Sequence, residues 1–294
     1  MRLREKRWIS GVLFLLLAGC GSSVTSTPAK EAVSAFGSAG FKHVFVIVLE
    51  NANADEALRQ PFLAKLAHEG AYLARYYAVA HPSQPNYIAL VSGSTDGVPG
   101  DGPVTLDRQH LGDLLDRRHL TWKSYAEGYP GHCSLAARSG DYARKHEPFI
   151  SFDDVQSSPV ECAHIVAAST LQSDIETGNL AAFSLYVPNM KHDGHDTSVV
   201  AADRWLASAF GPRLSDPRFT KDLLFVVTFD EAERGGSNRV YTVLWGDSVK
   251  PGTVSNAVYD HYDLLRTIEV AFGLGTLGTH DEDPTTRPIG GIWK

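Results

Sequence analysis

An α/β fold, with a mostly parallel central sheet and helices on both faces, is predicted by three features of this sequence. Apolar, β-rich runs alternate with amphipathic stretches from Phe41 onward. The first run, His43 to Leu49, is too uniformly apolar for a half-exposed strand and reads as a central one. A chain of 294 residues with 43% hydrophobic content can also bury one large core.

Further strands are expected at Trp122 to Ala126, Phe183 to Val187, Leu223 to Phe229 and Val240 to Leu244. Helices are expected at Phe62 to Ala71, Pro85 to Val91, Leu111 to Arg118, Ala201 to Ala209 and Tyr262 to Phe272, where apolar residues recur three or four apart. Polar residues follow the strands directly: Glu50 and Asn51 after the first, Asn189 to Asp196 after Val187, and Asp230 and Glu231 after Phe229. Ligands bind outside the carboxyl ends of strands in open α/β sheets, so three loops should meet at one edge.

The N-terminus carries a separate signal. Residues 1–19 have a basic start and a short apolar run, Val12 to Leu17, and lead into Leu17-Ala18-Gly19-Cys20. That pattern reads as a lipoprotein-type signal peptide with Cys20 as the acylated residue. The apolar run falls short of the roughly 20 residues a spanning helix needs. Acyl chains on Cys20 would hold the protein on a membrane, facing the periplasm or the cell surface, with release as a secreted form as the alternative. Residues 20–40, rich in Ser, Thr, Ala and Gly, would be a flexible tether to a catalytic domain over residues 41–294. The remaining cysteines, Cys133 and Cys162, form an even pair in a compartment that permits disulfides, and we expect them bridged.

Net charge is −7, and Arg2, Arg4, Lys6 and Arg7 against Glu5 give the first nineteen residues +3, leaving −10 on the rest. Such a balance argues against nucleic-acid binding through a basic patch. A monomer is the default expectation.

Chemistry concentrates in His81-Pro-Ser-Gln-Pro-Asn-Tyr87, where Ser83 stands at the start of a predicted helix. Unpaired N–H groups and the positive dipole end there favour an anion such as phosphate. A serine hydroxyl needs activation to attack phosphorus, and a divalent cation can supply it. Alone, Ser83 reads as a plain N-cap, the commonest job for such a serine, and it is the surrounding constellation that raises the nucleophile reading. Glu50-Asn51 and Asp230-Glu231 each end an apolar run, and hard cations prefer such oxygen ligands. His192-Asp-Gly-His-Asp196 gathers two imidazoles and two carboxylates that could bind a second cation or protonate a leaving group. Tyr142-Ala-Arg-Lys-His146 offers cationic groups to phosphate oxygens.

With these motifs the chain resembles the bacterial phosphoesterase family of secreted acid phosphatases and phospholipases C, within the alkaline phosphatase superfamily. The marks are VIVLEN (Val46 to Asn51), HPSQPNY (His81 to Tyr87), YARKH (Tyr142 to His146), PNMKHDGHD (Pro188 to Asp196), TFDE (Thr228 to Glu231) and DHYDLLRTIE (Asp260 to Glu269). The resemblance implies that Ser83 attacks phosphorus and forms a phosphoserine. It implies that Glu50, Asn51, Ser83, Asp193, Asp230 and Glu231 hold a divalent metal, with His195 and His261 at the phosphoryl group. His81, Asn86, Lys145 and His146 become phosphate neighbours, while His192 has no counterpart. Histidines 81, 146, 195 and 261 suggest a low pH optimum. The implied substrate is a small phosphomonoester: a sugar phosphate, a nucleotide or a phosphoinositide. A phosphodiesterase or phospholipase C on the same scaffold is the alternative, and a non-catalytic lipoprotein that binds phosphorylated ligands is an alternative of another class.

Overall fold

The computed structural model describes residues 40–294. The leader, Cys20 and all of the tether but Gly40 lie outside the described residues. Among the described residues, no helix is long and apolar enough to cross a membrane.

Eight strands form one sheet: β1 (His43–Leu49), β2 (Ala71–Tyr77), β3 (Trp122–Ala126), β6 (Ile165–Ala167), β7 (Phe183–Val187), β8 (Leu223–Phe229), β9 (Thr242–Trp245) and β10 (Thr253–Asp260). Two short strands, β4 (Arg138–Ser139) and β5 (Tyr142–Ala143), pair apart from it. The order across the main sheet is β10-β2-β9-β8-β1-β7-β3-β6. Only β9 opposes its neighbours, and every other pairing is parallel. β1 sits between β7 and β8 and is buried along consecutive residues, so both faces are covered, as its uniformly apolar sequence requires. The Pro61–Glu69 helix packs against Val199–Phe210, and His261–Phe272 packs against Ser83–Ser92.

Strands β3, β7 and β8 have the bounds read from the sequence, and β9 is displaced by a residue or two at its ends. Three strands of the main sheet escaped that reading, as did the two-residue β4 and β5. β10 alternates exposed and half-buried residues at the sheet edge, and β6 has three residues, so neither presents a long apolar run. β2 begins at Ala71, where the expected helix still ran; that helix stops at Glu69, with Gly70 as its cap. The Val199–Phe210 helix starts two residues early because the Ser198 hydroxyl accepts from Ala201 N–H. Cys133 and Cys162 are bonded, with Cα atoms 5.7 Å apart.

In the His261–Phe272 helix, Asp260 and Asp263 form a reciprocal capping box. Farther along the same helix, Glu269 is fully buried, with Oε2 accepting from Arg266 Nη1 at 3.1 Å. Burial first, and then the neighbouring Asp281, push Glu269 from 4.5 up to about 9 against the pull of Arg266. Between those values the folded chain holds a proton that the unfolded chain has released. Stability from this group is therefore greatest below about pH 4.5 and falls as pH rises toward 9. Urea titrations at pH 5 and pH 8 should show that fall, at most about 1.4 kcal/mol per pH unit. Glu269→Gln should flatten it; an unchanged slope in the variant would assign the pH dependence to other groups.

Candidate active site

The site lies beyond the carboxyl ends of adjacent parallel strands. Leu49 ends β1 opposite Phe229 at the end of β8, so Glu50 and Asp230 leave the sheet side by side. Asp193 comes from the loop after β7, on the other side of β1, and its carbonyl accepts from Glu50 N–H at 2.9 Å. Asn51, with φ of 55°, turns back so that its N–H donates to Asp230 Oδ1 at 3.2 Å and its Nδ2 to Glu50 Oε2 at 3.2 Å.

Ser83 is the first residue of a ten-residue helix that is buried throughout, so its hydroxyl is held at a fixed point. That hydroxyl donates to Glu50 Oε2 at 3.0 Å. The loop leading to it is braced by Asn86, whose Oδ1 accepts from Val79 and Ala80 N–H while Nδ2 donates to the Ala80 and Pro82 carbonyls. The sequence suggested that Asn86 meets phosphate; instead its side chain is spent on the backbone and it is fully buried. Asn86→Ala should lower stability by about 2 to 4 kcal/mol, since buried backbone groups lose their partners. Urea titration checks this, and a loss under 0.5 kcal/mol would show that the brace is dispensable.

His146 enters this acidic corner from the 3₁₀ turn Arg144–His146. Its Nε2 lies 3.0 Å from Glu50 Oε1 and its Nδ1 3.1 Å from Asp193 Oδ2, with the ring stacked on Tyr87 at 5.0 Å. Burial alone would lower the imidazole, but the Glu50 and Asp193 carboxylates lift it to about 9. Conversely, burial would raise Glu50, but His146 and then Lys145 bring it down to about 2. Asp193 is raised by burial, and Asp230 well above its ordinary value by burial and by the Glu50 and Glu231 charges.

These separations suit ion pairs, yet the angles leave Glu50 Oε1, His146 Nε2, Asp193 Oδ2 and Asp230 Oδ2 buried without hydrogen-bond partners. Orphaned buried atoms of this kind are costly in a protein interior. Here they comprise three carboxylate oxygens and an imidazole nitrogen, a donor set that suits a divalent cation. Glu50, His146 and His195 each also offer one ligand atom within 4.8 Å of the others. The residues present therefore fit a metal: Glu50, His146 and His195 offer atoms close enough to share one ion, and the orphaned Asp193 and Asp230 oxygens border them as further candidates. His146, expected beside phosphate, falls among the ligand candidates.

Around this centre, Lys145 Nζ lies 3.1 Å from His195 Nε2 and donates to Asp101 Oδ2 at 2.9 Å. His195 Nδ1 faces Asp196 at 2.9 Å, and Arg138 pairs with the other Asp196 oxygen at 2.7 Å. Glu231 meets His81, its Oε2 lying 2.5 Å from Nδ1. The first His of the HDGHD loop, His192, turns away to Glu127 at 2.6 Å and stacks on Trp205.

His261 is placed differently from the expectation of a residue at the phosphoryl group. Its Nε2–H donates to the Asp230 carbonyl at 2.7 Å, and its Nδ1 accepts from Tyr76 Oη at 3.0 Å. With both nitrogens committed and burial lowering it to about 4, it stays neutral and positions Asp230. It therefore drops out of the histidines invoked for a low pH optimum. Two site residues went unread in the sequence. Asp101 offers only a lone carboxylate in a Gly- and Pro-rich stretch, and Tyr87 closes the HPSQPNY motif without a role of its own.

The model of the Phosphoesterase family matches residues 56–275. A Kluyveromyces lactis protein described as "Probable acid phosphatase" is 35% identical over 282 residues, which covers 91% of this chain and 67% of that one. The Mycobacterium tuberculosis protein named "Phosphatidylinositol-3-phosphatase" is 33% identical, with 86% of this chain and 83% of its own covered. The chain spans about two thirds, or somewhat less, of the length of the fungal relatives it matches. A Vibrio parahaemolyticus structure in the alkaline phosphatase superfamily shares the fold, with a TM-score of 0.58 at 14% identity over 83% of this chain and 70% of that one. The serine at the helix start and the acidic strand ends thus lie in a scaffold of known kind, and the chain belongs to the Phosphoesterase family.

Proposed function

We propose that this chain is an exported, divalent-metal-dependent acid phosphatase that hydrolyses phosphomonoesters through a phosphoserine at Ser83. The observation that carries the reading is the Ser83 hydroxyl, fixed at a helix N-terminus and 3.0 Å from a carboxylate of the orphaned acidic cluster. Uncatalysed hydrolysis of such esters is extremely slow, so the site must align the attack and offset phosphoryl charge. A cation bound in this cluster would supply positive charge that acidifies the hydroxyl and offsets the phosphoryl oxygens.

The protein's own groups do the rest. Glu50 Oε2 orients Ser83 Oγ, and the positive end of the helix dipole with the Lys145 ammonium attracts phosphoryl oxygens. The Oγ–P bond forms as the ester P–O bond breaks; the Ser83 proton passes to its hydrogen-bond partner Glu50 Oε2, and the leaving oxygen takes a proton, for which His195 is the candidate donor. Water then cleaves the Oγ–P bond, returning the serine and releasing phosphate. Names of the relatives support the phosphatase reading. Export through the leader and a lipid on Cys20 are part of the proposal, and the Cys133–Cys162 bond suits an oxidising compartment.

The purified protein should turn over p-nitrophenyl phosphate at acid pH, lose that turnover to a chelator, and regain it with added divalent metal. Preference for the bis-ester by tenfold or more would make it a diesterase. No turnover of either ester by metal-loaded protein would leave a phosphoryl-binding lipoprotein.

A further inference from the structure

Asp193 stands on a loop that no helix or strand shapes. The loop leaves β7 after Val187 and ends at the Val199–Phe210 helix, and between them it brings the Asp193 carboxylate to His146. Gly194, with φ of 106°, turns it sharply just past Asp193. A Cβ at Gly194 would lie 3.3 Å from the Glu50 carbonyl oxygen, so the loop runs close over the end of β1. The path of such a loop depends on the partners its polar groups find.

Glu127 supplies several of them. It follows β3, the neighbour of β7 in the sheet, and its carboxylate grips the first turn of the loop. Oε2 accepts from Asn189 N–H at 3.1 Å and from His192 Nδ1 at 2.6 Å, while Oε1 accepts from the Tyr186 hydroxyl on β7 at 3.0 Å. Asn189 carries the hold forward. Its side-chain oxygen accepts from Lys191 and His192 N–H, and its carbonyl accepts from His192 and Asp193 N–H at 2.8 and 2.9 Å. From Asp193 the bonds reach the site in two directions: its carbonyl accepts from Glu50 N–H, and its Oδ1 from His195 N–H at 2.8 Å. The other oxygen, Oδ2, faces His146 Nδ1 at 3.1 Å.

We infer that Glu127 is a positioning residue: by fixing Asn189 and His192 it sets where Asp193 and His195 stand at the metal cluster. This rests on the metal-dependent phosphatase reading above. It also gives a task to His192, the histidine that the family resemblance leaves without a counterpart, since its Nδ1–H is one of the two groups that Glu127 Oε2 holds. Residues that orient metal-binding side chains from outside the donor set commonly change metal affinity or activity by roughly 10- to 100-fold when they are removed.

The test reads the dissociation constant of a divalent ion directly, by equilibrium dialysis of chelator-stripped protein. The ion is the one among Mg²⁺, Ca²⁺, Mn²⁺ and Zn²⁺ that best restores p-nitrophenyl phosphate turnover to stripped wild type. Unfolded molecules lower the number of sites and leave the constant of the folded ones unchanged, so a merely structural defect does not move it. Glu127→Ala should raise that constant about tenfold or more. Glu127→Gln, whose amide oxygen can replace Oε2 and accept from both Asn189 and His192, should stay within threefold of wild type. A Glu127→Ala constant within threefold of wild type overturns the assignment, and so does an equal rise in Glu127→Gln, which would assign the effect to the carboxylate's charge. If Glu127→Ala yields no folded protein, His192→Ala decides, because it removes one of the two gripped groups at a partly exposed position. A rise of threefold or more is then expected, and an unchanged constant overturns the assignment. Stripped wild type that regains turnover while the variants bind the ion as tightly sinks the positioning role alone. Stripped wild type that regains none with any of the four ions sinks the metal-dependent reading, and the positioning role with it.

Discussion

Ser83→Ala should lower kcat/KM for p-nitrophenyl phosphate by about a thousandfold or more, the scale of losing a covalent nucleophile. The fold should survive, because the hydroxyl makes one hydrogen bond, to Glu50 Oε2, and that oxygen keeps the Asn51 amide. Acid quenching during turnover of a labelled monoester should trap phosphate on the wild-type protein and none on the variant. A variant that keeps more than a tenth of wild-type activity would move the nucleophile elsewhere. Water attacking directly would give activity without a trapped phosphoserine, so the two measurements separate these mechanisms.

Second in size is the acidic cluster. Glu50→Gln is expected to remove most bound divalent metal and lower activity at least a hundredfold, because it takes a charged oxygen from the centre of the donor set. Metal content after dialysis, measured by elemental analysis, reads the first effect independently of catalysis. His146→Ala discriminates between its two roles. As a ligand, His146 takes metal with it when removed; as a phosphate contact, its loss raises KM and leaves metal in place. Its Nε2 position, 3.0 Å from Glu50 Oε1 and orphaned, predicts the loss of metal. Retained metal with a tenfold higher KM would return His146 to the substrate.

The sheet was legible because its central strands are uniformly apolar and short, a pattern that a helix of that length rarely needs. Their carboxyl ends then located Glu50, Asp193 and Asp230 without any knowledge of contacts. Edge strands were less legible, since β10 faces solvent along one side and its composition is mixed. For the site the division is sharper. Residue types and strand ends pointed to the right neighbourhood, but not to which polar atom each side chain meets.

From its sequence alone this chain determines a parallel α/β core, three acidic loops converging on one sheet edge, and a serine at a helix start beside them. Tertiary structure decided that His146 sits among the carboxylates, that His261 and Asn86 are turned into backbone contacts, and that Asp101 links Gln84 to Lys145. Apolar periodicity is a local signal, since each run reports its own burial. A polar side chain's direction depends on which distant group can satisfy its hydrogen bonds, and those partners come together only when the chain has folded.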